Sequence, residues 1–201
     1  MNKNRIEAFS DSVLAIIITI MVLEIKSPQD KGASIADLKP VFQSFLSYVL
    51  SFAMVLIYWN NHHHLFQSVK IVNGRVLLAN GLLLFWLSLM PFTTSWMGEN
   101  HFASIPVVLF GVVLVMSGLA FKILTDVLVH AHGKDSLLAK AIGRDTKTLI
   151  SLVSYLSAIL IAFFEPIVSC LIYTAIAVIW LIPDKRIEKQ LRQNRTSTPA
   201  E

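Results

Sequence analysis

Charge is scarce in this chain: only 15% of its 201 residues are Asp, Glu, Lys or Arg, against about 25% in soluble globular domains. So thin a polar coat excludes a soluble enzyme or a soluble binding module. Cysteine is scarcer still, since Cys170 is the only one, and this rules out an intrachain disulfide or a thiolate metal cluster. Cys170 reads as a small packing residue within a membrane helix. No HExxH or equivalent metal spacing occurs, and Ser10 beside Asp11 forms no recognisable nucleophile–base pattern. An intramembrane hydrolase is therefore not expected, nor is a resident metal or other cofactor.

What the chain has in place of charge is apolar residues, 55% of the total, gathered into blocks. Six stretches are long enough to approach a hydrocarbon core of about 30 Å, which takes roughly 20 helical residues. They run over 6–25, 41–58 (continuing through 66), 76–97, 102–124, 149–164 and 167–182. Ser27-Pro28, Asn73-Gly74, Gly98-Glu99-Asn100 and His132-Gly133-Lys134-Asp135 separate them, and Glu165-Pro166 divides the last pair. The first stretch follows Lys3 and Arg5 as a signal sequence would, yet Glu24-Ile25-Lys26-Ser27-Pro28 replaces a small-residue cleavage site, so it is expected to be a retained helix. The chain thus reads as all-α: a membrane domain of six transmembrane helices over 1–183 and a basic tail over 184–201.

The formal net charge of +4 could suggest nucleic acid, but its placement explains it otherwise. With six crossings both termini share a side, and that side holds every Lys and Arg of the 17 except Lys26, Lys31 and Lys39. Retained positive charge marks the cytoplasmic face. The expectation is a multi-pass protein of a bacterial inner membrane with both ends and the tail in the cytoplasm, a lipid bilayer as its surroundings and no nucleic-acid partner.

Ionisable residues inside spans cost roughly 2.5–3.5 kcal/mol each on insertion scales and so face protein or water. Here they gather toward the cytoplasmic leaflet: Arg5, Glu7, Ser10 and Asp11 open the first helix, Trp59-Asn60-Asn61-His62-His63-His64 closes the second, and Asn80 lies early in the third. Trp59, His62, His63 and Phe66 share a helix face by their spacing and could meet Asp11. Such a cluster can fix the packing of the first three helices, relay protons through imidazoles that titrate near neutrality, or hold a metal. Consecutive histidines point about 100° apart, which keeps His62, His63 and His64 from converging on one ion.

On an ideal wheel centred on Ile16, Phe9, Ser12, Ile20 and Leu23 fall within about 40° and Thr19 about 60° away, whereas Asp11 lies roughly 140° off. Such a stripe suits ordinary packing, lipid contact or a pore lining. The string Arg5-Ile6-Glu7-Ala8-Phe9-Ser10-Asp11 is an RxxxFSD sequence at the start of the first helix. It resembles the signature of the potassium channel family named after transmembrane protein 175, and the likeness continues through Ser12–Leu23, Tyr58–His63 and Leu89-Met90-Pro91-Phe92.

That resemblance implies a cation channel whose pore is surrounded by the first helices. It places the narrowest apolar ring, a hydrophobic gate, at Ile16, with Ile20 on its flank and Leu23 further outward. It puts a potassium-selecting hydroxyl layer at Thr19, and makes Arg5, Phe9, Ser10, Asp11, Trp59 and His62 a structural motif bracing the first helix. One six-helix unit per chain implies a homotetramer with potassium as the permeant ion and modest preference over sodium. No TVGYG-like loop is present, so selectivity would not come from a carbonyl filter. The rival reading is a proton-coupled secondary transporter using Asp11 and His62–His64, with the short chain and the absence of a recognisable broken-helix repeat against it.

Overall fold

The computed structural model describes residues 2–27, 35–133, 136, 139 and 146–181; the expected tail over 184–201 lies outside them. Among the described residues every regular element is helical. Helix α1 spans Lys3–Leu23, α2 Lys39–Gln67, α3 Gly74–Ser88, α4 Met90–Glu99, α5 Ser104–His132, α6 Thr146–Ala162 and α7 Pro166–Leu181, with a short 3-10 turn at Ile35–Leu38 before α2. At 1.5 Å per residue, the 21 residues of α1 reach about 31 Å, enough for one crossing. The third apolar stretch is covered by α3 and α4 together, so the seven helices make the six expected segments. Four of these, Lys3–Leu23, Val41–Gln67, Gly74–Glu99 and Ser104–His132, are long and apolar enough to cross a membrane; Lys147–Ala162 and Pro166–Leu181 are shorter.

Local chemistry sets the helix ends. Asn2 and Asn73 cap α1 and α3, their side-chain oxygens accepting from the amides of Asn4 and Val76 at 3.1 Å. The third stretch breaks at Leu89 because Pro91 lacks an N–H and stands in the first turn of α4. Gly133 ends α5 with φ +88°, a conformation only glycine adopts freely. The Gly98-Glu99-Asn100 breaker acts differently from the sequence expectation: Gly98 and Glu99 lie inside α4, and the reversal into α5 is made by His101 and Phe102 at φ 54° and 56°. The His101 ring hydrogen-bonds Gln43 of α2, holding this strained corner.

Helix α1 packs on α2, α3 and α4; α5 lies behind these, and the α6–α7 hairpin packs on α5. The core joins them through Met54 and Phe66 of α2, Leu83 and Leu87 of α3, Met90 and Met97 of α4, and Phe110, Leu114 and Leu124 of α5. Ser169 of α7 donates to the carbonyl of Ala158 in α6 at 2.7 Å, closing the hairpin across its bend. Phe85, Leu156, Leu160, Phe164 and Leu171 are exposed apolar side chains, the outward face expected where the solvent is lipid.

Candidate functional site: the first helix and its polar cradle

One side of α1 is sealed and the other is open. Ile6, Ser10, Leu14, Ile17 and Met21 are buried against the rest of the chain, whereas Phe9 is 61%, Ile16 56%, Ile20 41% and Leu23 79% exposed. Thr19 and Ser12 are exposed on the same side. The Ser12 hydroxyl donates to the carbonyl of Ala8 at 2.7 Å and that of Thr19 to the carbonyl of Ile16 at 2.8 Å. With both hydroxyl hydrogens engaged inside the helix, oxygen lone pairs are what these side chains offer outward. Lone pairs suit a cation and repel an anion.

The sealed side is held by a polar chain across three helices. Ser10 donates to the carbonyl of Ile6 at 2.8 Å and accepts from the Asn80 amide of α3 at 3.0 Å. The Asn80 carbonyl oxygen lies 2.8 Å from Nε2 of His62 in α2, and the His62 ring stacks on Phe66 with centroids 4.4 Å apart. All three polar residues are buried. Higher up, Thr94 of α4 is 2.6 Å from Ser51 of α2 and 3.9 Å from the Met21 sulfur of α1.

Asp11 sits outside that chain. It accepts from the indole N–H of Trp59 at 3.0 Å, and Trp59 in turn stacks on His63, which hydrogen-bonds Gln67 at 2.9 Å. The single cluster considered from the sequence is therefore two: Trp59 with Asp11, and His62 with Asn80 and Ser10. Helix rotation explains the split, because His62 projects about 60° away from Trp59 and so faces α3. His63 and His64 are exposed, as is Arg5; Phe9 lies on the open strip. Among the described residues no three His, Cys, Asp or Glu side chains gather as a metal site would require.

Replacing Asn80 with leucine leaves a buried ring nitrogen of His62 without its partner. Within a membrane such bonds are worth less than in isolation, so a loss of about 1–2 kcal/mol is expected. Thermal unfolding of the detergent-solubilised protein measures it; an unchanged midpoint would mean that the chain of bonds contributes nothing.

The C-terminal end of α1 carries contacts that motif reading did not single out. Glu24 caps the helix and accepts from the Ser95 hydroxyl of α4 at 3.2 Å. Lys26 pairs with Glu99 at 2.6 Å; that hydrogen bond, together with the carboxylate's charge, holds the Lys26 ammonium pKa above its ordinary value. An acid at the negative end of a helix dipole is the signal by which Glu24 could have been found.

A multi-pass helical bundle with one helix sealed on its inner side by hydrogen bonds and bare on its outer side has the build of an ion-channel subunit. The family described as "Endosomal/lysosomal potassium channel TMEM175" matches residues 5–91. A protein named potassium channel from Chryseobacterium sp. (strain P1-3) is 54% identical over 194 residues, covering 96% of this chain and 100% of that one. The chain belongs to the TMEM175 family. The solved structure of a lysosomal potassium-selective channel TMEM175 homolog from Chamaesiphon minutus superposes with a TM-score of 0.79 at 30% identity, covering 90% of this chain and 96% of that one. The human endosomal/lysosomal proton channel TMEM175 is 36% identical over 101 residues, 45% of this chain and 20% of its own length. The family is one of ion channels, so this chain is a membrane channel protein and not an enzyme.

Proposed function

We propose that four copies of this chain form a potassium-permeable channel whose pore is lined by the open strip of α1. The observation that carries this reading is the two-faced burial of α1: Ile16, Ile20 and Leu23 project from a helix whose other side is fully committed to its own subunit. Apolar side chains alone would suit lipid, but this strip also carries the hydroxyls of Ser12 and Thr19, and in a channel family a fourfold axis brings such strips of identical copies together. Membership of a channel family favours this over the proton-coupled transporter. So does the fact that Asp11 and His62 engage separate partners.

In this arrangement Ile16 forms the narrowest ring. Four isoleucine side chains at one level make a constriction too small and too apolar to hold water, and conduction is blocked by dewetting until the helices part. Ile20 flanks the ring and Leu23 forms a wider apolar collar outward. Isoleucine methyl groups offer an ion nothing in exchange for its hydration shell. Discrimination between cations therefore falls to the oxygens of Thr19, one turn beyond the gate, and the preference for potassium over sodium is modest. Ser10, Asp11, Trp59 and His62 keep α1 in register with α2 and α3. The remaining helices are scaffold, and residues 1–183 make a single channel domain. The loop charges put both termini and the basic tail over 184–201 on the cytoplasmic side of a bacterial inner membrane.

Recording from the purified protein in planar bilayers under a potassium gradient, with sodium substituted on one side, tests the reading directly. Unitary currents reversing toward the potassium equilibrium potential are expected, with a particle mass of four chains in detergent. Turnover-sized fluxes without unitary steps would point to a transporter instead.

Thr19→Val removes the oxygens and keeps the shape. The potassium to sodium permeability ratio is expected to fall about threefold, since less than about 1 kcal/mol of discrimination is at stake in a modestly selective pore. Reversal potentials in mixed salts read this out, and an unaltered value removes Thr19 from selectivity.

A further inference from the structure

An apolar gate and a ring of hydroxyls explain closing and cation choice, but neither draws ions toward the pore. We propose that Glu24 is the fixed charge that gathers cations at the outer mouth, an inference that rests on the α1-lined pore. Glu24 follows Leu23 directly and continues the helical backbone at φ −72° and ψ −13°. It lies about 80° round from Ile16, between the open strip and α4. Its carboxylate is held there by the Ser95 hydroxyl at 3.2 Å, a neutral donor that orients the charge without cancelling it.

The neighbouring charges sharpen the point. Beside the outer end of α1, among the described residues, Lys26 and Glu99 form an ion pair at 2.6 Å. Two carboxylates thus share one ammonium, which is paired directly with Glu99 and whose charge also reaches Glu24. Among the described residues the group keeps one net negative charge, and Glu24 is the acid without a direct ion pair. The Ser95 hydroxyl also lies 3.5 Å from Glu99, but its single hydrogen favours the nearer Glu24 oxygen at 3.2 Å. A carboxylate at a helix C-terminus opposes the helix dipole. Local helix energetics therefore give no reason for Glu24 to stand there, and residues that break a local rule in this way concentrate where function requires them. Four such carboxylates around an entrance walled by apolar side chains raise the local cation concentration and lower that of anions. The effect is through space: no site is occupied, and cations of one charge are treated alike.

Salt dependence separates this from a structural role. Glu24→Gln is expected to lower unitary potassium conductance about threefold at 20 mM salt, and to leave it near wild type at 1 M, where the screening length shrinks to about 3 Å. Lys26→Gln releases the Glu99 charge and is expected to raise conductance at 20 mM salt. Both variants keep the potassium to sodium ratio, because Thr19 is untouched. A Glu24→Gln conductance that changes by the same factor at both salt concentrations, or at neither, overturns the inference. If Glu24→Gln does not assemble, Lys26→Gln decides, and no rise at low salt overturns the inference equally. Recording Ile16→Asn in parallel tells the two ideas apart. If the gate variant alters conduction and the mouth variants do not, only the role of Glu24 falls; if none of them does, the α1-lined pore falls too.

Discussion

Asparagine at position 16 is expected to leave the channel conducting without a stimulus, with basal potassium current about tenfold or more above wild type. The reason is the state of water at the constriction. In the proposed tetrameric pore, four isoleucines at one level expose only methyl and methylene groups, so water inside the ring loses hydrogen bonds and the narrow segment empties. An ion crossing the empty segment must shed hydration with nothing in return. Asparagine has nearly the same reach but ends in a donor and an acceptor, and four amides hold a continuous water column through the ring. Each 1.4 kcal/mol removed from the barrier multiplies the rate by about ten. The substitution is expected to disturb the fold little, because Ile16 is 56% exposed and the sealed side of α1 is carried by Ile6, Ser10, Leu14, Ile17 and Met21. Potassium flux into liposomes reconstituted with equal amounts of assembled protein measures the effect. Equal currents in the two proteins would show that the gate lies elsewhere.

A large loss of stability is expected from one methyl group at Gly98, where the obstacle is backbone. A Cβ there would stand 2.6 Å from the Ser44 backbone Cα and 2.5 Å from the Ser47 hydroxyl. Backbone cannot rotate away as a side chain does, so α2 and α4 must separate along this contact. Small residues at a membrane helix crossing exist to allow such closeness, and overpacking of this kind costs about 3 kcal/mol, the upper end of its usual range. Gly98→Ala should therefore unfold at markedly lower temperature in detergent and give less assembled protein. Gly118→Ala is the control, since its nearest neighbour would be an ordinary 3.5 Å contact with Leu152. If both variants melt together with wild type, the α2–α4 approach is looser than the structure shows.

Legibility differed from element to element for physical reasons. The apolar runs and their breakers were readable because crossing a bilayer is a constraint on local composition, and Glu165-Pro166 stopped α6 where the sequence said it would. The broken third segment was not marked, although Pro91 was in view, because the hydrophobic run continues straight through the break. Gly98 was taken for a breaker. Its role is a close approach to Ser44 and Ser47, residues more than fifty positions away, and no local pattern reports that distance. For the polar groups, the wheel put Asp11 off the stripe and Trp59 and His62 nearby. Which acceptor each would take depended on the angle between α2 and α3. Glu24 and Ser95 went unremarked because each is ordinary alone and acquires meaning only when α4 lies beside α1.

Residue order alone settled that this is an all-helical membrane protein of six apolar segments, that it belongs among channels, and which stripe of α1 is apolar with hydroxyls set into it. The helical class and the stripe follow from composition and periodicity, which a chain carries before it folds; the place among channels came from the resemblance carried by Arg5–Asp11 and the segments that follow it. The packing decided which side of that stripe would be free: α2, α3 and α4 closed over Ser10, Leu14 and Ile17 and left Ile16, Thr19 and Leu23 bare. It also decided that His62 answers to Asn80 while Trp59 answers to Asp11. Burial and pairing are relations between helices, and a sequence contains them only once its helices have met.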